Sequence, residues 1–299
     1  MSFSHQKLSG LFFGEVNLTG AEFSKSTLED LHFRGTHLQD SLFEYAYGEG
    51  IYADSVNFEG ATFLKTNFKS CTFIRCRFAS NVMNQVCFRD CRFDDCIFQA
   101  VRMDQGAWSS CTWTRCQSLH NLWKESSWQD QRWTEGVFEG GSFFKCKIQK
   151  SLCEQGRWQG VTVQGGSVRD SVFSHNQWQQ CLWTGAVRGY GVSIETCVFV
   201  GGGFQQARFF KSKFTELKTQ QTHWLESLFG HCLFERCEFE ENTWSGATIL
   251  HTHFDQGCWS GGDVSGVLAK NIRLTGLKIQ GVHGIYTNFL RAQHDNDLV

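Results

Sequence analysis

Every fifth residue of this chain is apolar. Counted from Phe3, the positions read Phe3, Leu8, Phe13, Leu18, Phe23, Leu28, Phe33, Leu38 and Phe43. The beat drops at Gly48 and Ala53, returns at Phe58, Phe63, Phe68, Phe73 and Phe78, and holds as far as Trp183. One extra residue then shifts it. It restarts at Ile194, runs through Phe199, Phe204, Phe209 and Phe214 to Trp259, and fades through Leu274, Ile279 and Phe289. All 11 Trp and 25 of the 28 Phe fall on this beat, so it is a repeat and not an accident of composition. A second beat lies two residues earlier and carries compact side chains, among them Ala21, Ser26, Thr36, Ser41, Ala61, Thr66, Cys71, Cys76, Cys91 and Cys96.

A period of five fits neither a helix at 3.6 nor a strand at 2.0. Two inward positions per five residues, one large and one small, suit a backbone that turns a corner every five residues. Four such steps close a square coil of about 20 residues, and coils stack at the strand spacing of about 4.8 Å. The chain then makes roughly 14 coils, a stack on the order of 70 Å long. Residues 20 apart lie above one another. Phe68, Phe88, Trp108, Trp128 and Ile148 should form one inner ladder, and Phe73, Phe93, Trp113 and Trp133 the next. The exchange of Phe for Trp between about 108 and 183 predicts a locally wider bore. No Tyr takes a slot, as expected of a phenol that needs a partner when buried.

Runs such as Cys91-Arg92-Phe93-Asp94-Asp95-Cys96-Ile97-Phe98 resemble the pentapeptide-repeat superfamily, bacterial in its Phe/Trp-centred form. The resemblance covers nearly the whole chain and implies an all-β, right-handed quadrilateral β-helix. The organisation expected is a solenoid over 1–188, a one-residue phase shift at 189–193, a continuous second-phase solenoid over 194–289, and a polar C-terminal tail at 290–299. The composition is also similar to that of pentapeptide-repeat proteins encoded with type VI secretion spike components. A fold does not fix a function.

Composition adds three points. The formal net charge of the 299 residues is −2, which gives no general pull toward nucleic acid or anionic lipid. No direct nucleic acid binding and no membrane association are expected. Met1 to Gly10 carry no basic stretch followed by an apolar run, so a secretory leader is not expected. The 14 cysteines mostly follow the small beat, which accounts for them as fillers without disulfides. A reducing, cytoplasmic location is expected. Cys87 and Cys258 sit just before a slot, point outward, and are the more reactive thiols by this reading.

Candidate chemistry is thin. There is no C-x-x-C, and Gly201-Gly202-Gly203 lacks the strand–helix context of a nucleotide loop. His231 and His251, 20 apart with His253 and Asp255 nearby, raise a surface metal site that solvated histidines explain as well. No catalytic residue, cofactor or metal is assigned, and an enzyme is not expected. A protein-binding scaffold is the first reading, with service to a secretion or toxin-delivery system as one version. The alternative is a DNA-mimicking modulator of DNA gyrase or topoisomerase, for which 30 acids against 28 bases supply little negative field. Local acidity at Glu235, Glu238, Glu240 and Glu241 keeps that alternative open. The partner is expected to be a protein that the sequence does not name, with an end-to-end homodimer also open. Its expected contacts are Tyr45, Tyr47, Tyr52, Arg188 and Tyr190, where the beat lapses at Gly48–Ala53 and Arg188–Gly191. Gly48 and Arg188 are seven 20-residue coils apart, so both lapses should fall on one side, about 34 Å apart, with loosened coils pushing side chains outward.

Overall fold

The computed structural model describes residues 1–284, 287–290 and 293–294. Each five-residue step has the same build, as the step around Phe73 shows. Cys71 and Phe73 are buried, Thr72 and Ile74 are half-buried, and Arg75 stands in solvent. Residues 72–74 form a three-residue strand, and Arg75 takes the left-handed conformation with φ +51°. That residue turns the corner. Non-glycine corner residues fall between +47° and +59° throughout, a region that costs L-residues about 1–2 kcal/mol each. Glycines such as Gly10, Gly20 and Gly50 occupy the same position without that cost. The absence of proline follows: its φ near −65° is barred from the corner, and it has no N–H for the ladder.

The chain divides into two compact units, 1–147 and 148–299, which carry the steps as an all-β parallel solenoid of about 14 turns. Among the described residues there is no helix. In the first unit, strands pair in parallel with partners 20 residues on. Phe68 pairs Phe88, Phe88 pairs Trp108, and Trp108 pairs Trp128. Coil-to-coil bonds include Arg92 N–H to Cys71 O at 2.9 Å and Thr112 N–H to Cys91 O at 3.0 Å. The rings of Phe68, Phe88, Trp108 and Trp128 stack with centroids 4.2–5.1 Å apart. Phe73, Phe93 and Trp113 do the same at 4.9 and 4.3 Å. Trp133 is in register with Trp113, and its ring meets Trp128 at 5.4 Å. Ser118 stands in place of a ring in its ladder, beside a small apolar cavity of about 20 Å³.

The small inward position asks for more than compactness. Cys76 Sγ lies 3.4 Å from the carbonyl oxygens of Ala53 and Ile74, and Cys96 Sγ is placed likewise at Phe73 and Asp94. Asn81 and Asn121 use the site with Nδ2 donating to Phe58 O and Phe98 O at 2.6 and 2.8 Å. Compact donors therefore share this beat, because each supplies a partner to a carbonyl of the preceding coil. The cysteines are weak donors here as well as fillers.

The lapse at Gly48–Ala53 does not loosen the coil. Tyr47–Glu49 and Tyr52–Asp54 are ordinary strands, in register on both sides. Ile51 and Phe68 fill the space above Gly48, with atoms 2.7–2.8 Å from where a Cβ would stand. The expectation of loosened coils fails because neighbouring side chains lean into the vacancy.

In the second unit the same ladders recur: Trp158, Trp178 and Phe199 at 4.5 and 5.2 Å, and Phe204, Trp224 and Trp244 at 4.5 and 4.6 Å. Pairing runs at offset 20 through Thr184 and at offset 21 from Arg188, which opposes Ser167. The extra residue therefore sits at the corner, where Gly185 and Ala186 are both left-handed at +67° and +59°. This corrects the placement at 189–193. Gly189 takes the inward slot, with the Phe209 ring filling its place, and Arg188 faces outward. At the far end, residues 288–290 and 293–294 are strands. The rest of the expected 290–299 tail lies outside the described residues.

Candidate functional site

Outward side chains form columns, one residue per coil, at the coil spacing. Several charged side chains meet an opposite charge on a neighbouring coil. Arg115 grips Asp95 with two bonds of 2.8 and 2.9 Å, Lys69 meets Glu49 at 2.7 Å, and Lys124 meets Asp104 at 3.2 Å. In the second unit Lys213 pairs Glu235 at 2.9 Å and Lys218 pairs Glu238 at 3.1 Å. The Arg115 guanidinium holds the Asp95 carboxyl below its ordinary value. Lys69 does the same for Glu49, and Lys213 for Glu235.

One face of the second unit departs from this pattern. Arg188 lies directly beside Arg208 in the parallel register, and Arg169 opposes Tyr190. Among the described residues, no acid pairs with Arg169, Arg188 or Arg208. Tyr190 is 44% exposed and its register partner Phe210 is 38% exposed. Lys211 Nζ stands 5.5 Å above the Tyr190 ring, and its contact with Tyr190 raises the ammonium above its ordinary value. The Phe210 ring lies over Gly230, 2.6 Å from where a Cβ would be. Any side chain at 230 would displace it.

Of the five residues expected to bind a partner, Arg188 and Tyr190 thus share one strand. The other three share no single face. Tyr45 turns a corner with φ +56° under Lys65, 5.4 Å away. Tyr47 is half-buried and its hydroxyl donates to Glu49 at 2.6 Å. Tyr52 stands on the strand after the next corner, its ring 5.7 Å from His32. Sequence reasoning missed Arg208 and Phe210, although Phe210 is one of only three Phe off the beat and Arg208 is 20 residues after Arg188. Treating Arg188 as an inward slot hid the column.

All 14 cysteines are free. Burial pushes the Cys181, Cys197 and Cys232 thiols up to about 11, while Cys87 and Cys258 are half-buried. His231 and His251 stack with centroids 4.8 Å apart. Among the described residues no group of three or more His, Cys, Asp or Glu could hold a metal ion. A groove of about 450 Å³ runs over Val198, Val200, Lys218, Gln220 and Glu240, floored by Thr219.

No curated protein matches the chain in sequence. Among solved structures it is similar to a trypsin-treated QnrB1 variant, a plasmid-mediated fluoroquinolone resistance protein. That match has 15% identity and TM-score 0.35 over 62% of this chain and 91% of that one. It is also similar to HetL of the cyanobacterium Nostoc sp. strain PCC 7120, a pentapeptide repeat protein involved in heterocyst differentiation regulation. Here identity is 9% and TM-score 0.31, over 94% and 88% of the two chains. The family model for pentapeptide repeats matches residues 2–40 in eight copies. The same five-residue step continues by register beyond the matched residues in each unit, so residues 2–40 match the pentapeptide-repeat family and the later coils repeat their build.

Proposed function

We propose that the chain is a non-catalytic protein-binding scaffold whose partner face centres on Arg188 and Tyr190. The observation that carries this reading is the pair of adjacent arginines without counter-ions, flanked by exposed Tyr190 and Phe210. Arginine and aromatic side chains are the usual anchors of protein interfaces. The strands beneath are held by backbone bonds to both neighbouring coils, so the anchors stand on a rigid base and binding orders little beyond their own rotamers. The free thiols suit a reducing compartment, and the proposal places the protein in the cytoplasm.

The gyrase-modulator alternative needs an acidic face without counter-ions. Glu235 and Glu238 are instead held by Lys213, Arg236 and Lys218, and Glu241 accepts a bond from Gln221. The test is site-specific photo-crosslinking in cells from Arg188 and Tyr190, with Gln177 on another face as control. A partner protein captured from Arg188 and Tyr190 and not from Gln177, and bound again by the purified chain, is the expected result. Equal capture from Gln177, or none from Arg188 and Tyr190, rules the reading out. The identity of that partner also decides whether secretion is the setting.

A further inference from the structure

We infer that the face running from Arg169 to Lys270 receives a segment of a partner protein that is acidic at one end and aliphatic at the other, laid along the direction in which coils stack. The inference rests on the scaffold reading and names the chemistry of its partner.

Two columns make this face. One runs Ser167, Arg188, Arg208, Leu228, Thr248, Leu268, and the other Arg169, Tyr190, Phe210, Gly230, Leu250, Lys270. The first coils are cationic, and the later coils carry Leu228, Leu250 and Leu268 before the face ends on the exposed Lys270. Arg169, Arg188, Arg208 and Lys211 stand in solvent at one end, against the single acid Asp170 at the adjoining corner. Phe210, Leu228, Leu250 and Leu268 follow, with Leu268 40% exposed. The span is five coil steps, about 24 Å.

Three arguments fix the occupant. Like charges directly opposite on neighbouring strands repel, so the Arg188–Arg208 contact is unfavourable until an anion lies between the guanidiniums. Elsewhere in this unit Lys218 meets Glu238 at the same 20-residue offset. Guanidinium forks match carboxylates with two parallel hydrogen bonds, and two forks one coil apart suit a run of acidic side chains. The aliphatic continuation through Leu228, Leu250 and Leu268 decides against nucleic acid. Phosphates and sugars gain nothing from leucine, whereas an acidic segment followed by apolar residues buries its second half there.

The experiment is fluorescence anisotropy on the full chain with a labelled peptide of about 16 residues, long enough as a helix to cover the span. The peptide carries glutamates at one end and leucines at the other. A second peptide has glutamine for glutamate, and a third probe is single-stranded oligo(dT). The acidic peptide should bind, more weakly as salt rises, and the glutamine peptide should bind ~tenfold less well or worse. Arg188→Glu with Arg208→Glu should cost a similar factor. Leu228→Ser with Leu268→Ser should weaken binding at any salt, and Gln177→Glu on another face should leave it unchanged. Circular dichroism checks that each variant keeps its fold. Oligo(dT) binding as tightly as the acidic peptide, equal binding of both peptides, or no binding of the acidic peptide would overturn the inference. Failure of the peptide with photo-crosslinking from Arg188 intact removes only this inference. Failure of both removes the scaffold reading.

Discussion

The indole N–H groups of the core offer a stringent test of the ladder. Trp244 is fully buried, stacked on Trp224 at 4.6 Å with planes 6° apart, and its Nε1 has no partner among the described residues. Trp113 stacks on Phe93 at 4.3 Å, but its Nε1 donates to Gln131 Oε1 at 3.1 Å. Changing either to Phe keeps a ring in the ladder. Each exchange gives up area and leaves a small void, together about 1–2 kcal/mol. At Trp244 the exchange also removes an orphaned donor, which returns about 1–3 kcal/mol. At Trp113 it takes one hydrogen bond from a buried amide, a further cost of about 1 kcal/mol or more. Trp244→Phe should therefore lie between about 1 kcal/mol below the parent and about 2 kcal/mol above it, and Trp113→Phe about 2–4 kcal/mol below it. The assay is guanidinium unfolding followed by circular dichroism, comparing midpoints at unchanged slope, since long repeat arrays can lose two-state behaviour. Equal losses from the two exchanges would refute the account of the indoles.

Trp128→Ala deletes a ring stacked on Trp108 at 5.0 Å and should cost about 3–5 kcal/mol. Glu226→Ala, at an exposed corner, should change stability by under about 0.5 kcal/mol in the same assay. Ala100 turns a corner at φ +51°. Ala100→Gly should stabilise by about 0.5–1 kcal/mol as left-handed strain outweighs chain entropy, while Ala100→Val should destabilise. With a bulky disulfide reagent at neutral pH, Cys87 and Cys258 should react first. The buried thiols, raised by desolvation as at Cys232, should wait for denaturant. The folded values of Asp95 and Glu49 are depressed. Their stabilisation is therefore present above about pH 4 and lost as pH falls through the folded values. Thermal melts between pH 7 and 3 should show a modest, salt-sensitive decline, and a rise in stability on acidification would contradict the assignment.

The sequence by itself determined the period of five, the inward ring and small residue, the parallel stacking at 20 residues and the absence of a recognisable catalytic motif. These are legible because each step repeats the same local sense, so one inward side chain predicts the next. The corner was not legible in the sequence, because Gly10, Gly20, Asp30 and Asp40 share that position with Glu15, Lys25 and Arg75. The tertiary structure decided what depends on neighbours in other coils. It moved the extra residue to Gly185–Ala186, because a left-handed corner absorbs an insertion that a ladder strand cannot. That shift turned Arg188 outward, in the same phase as Arg208 twenty residues on, while Tyr45, Tyr47 and Tyr52 stayed apart on separate positions of one coil. Whether a surface charge is neutralised or left free depends on the residue one coil away. A single inserted residue changes which side chains face outward, so the candidate face was legible only once the corner at Gly185–Ala186 was placed.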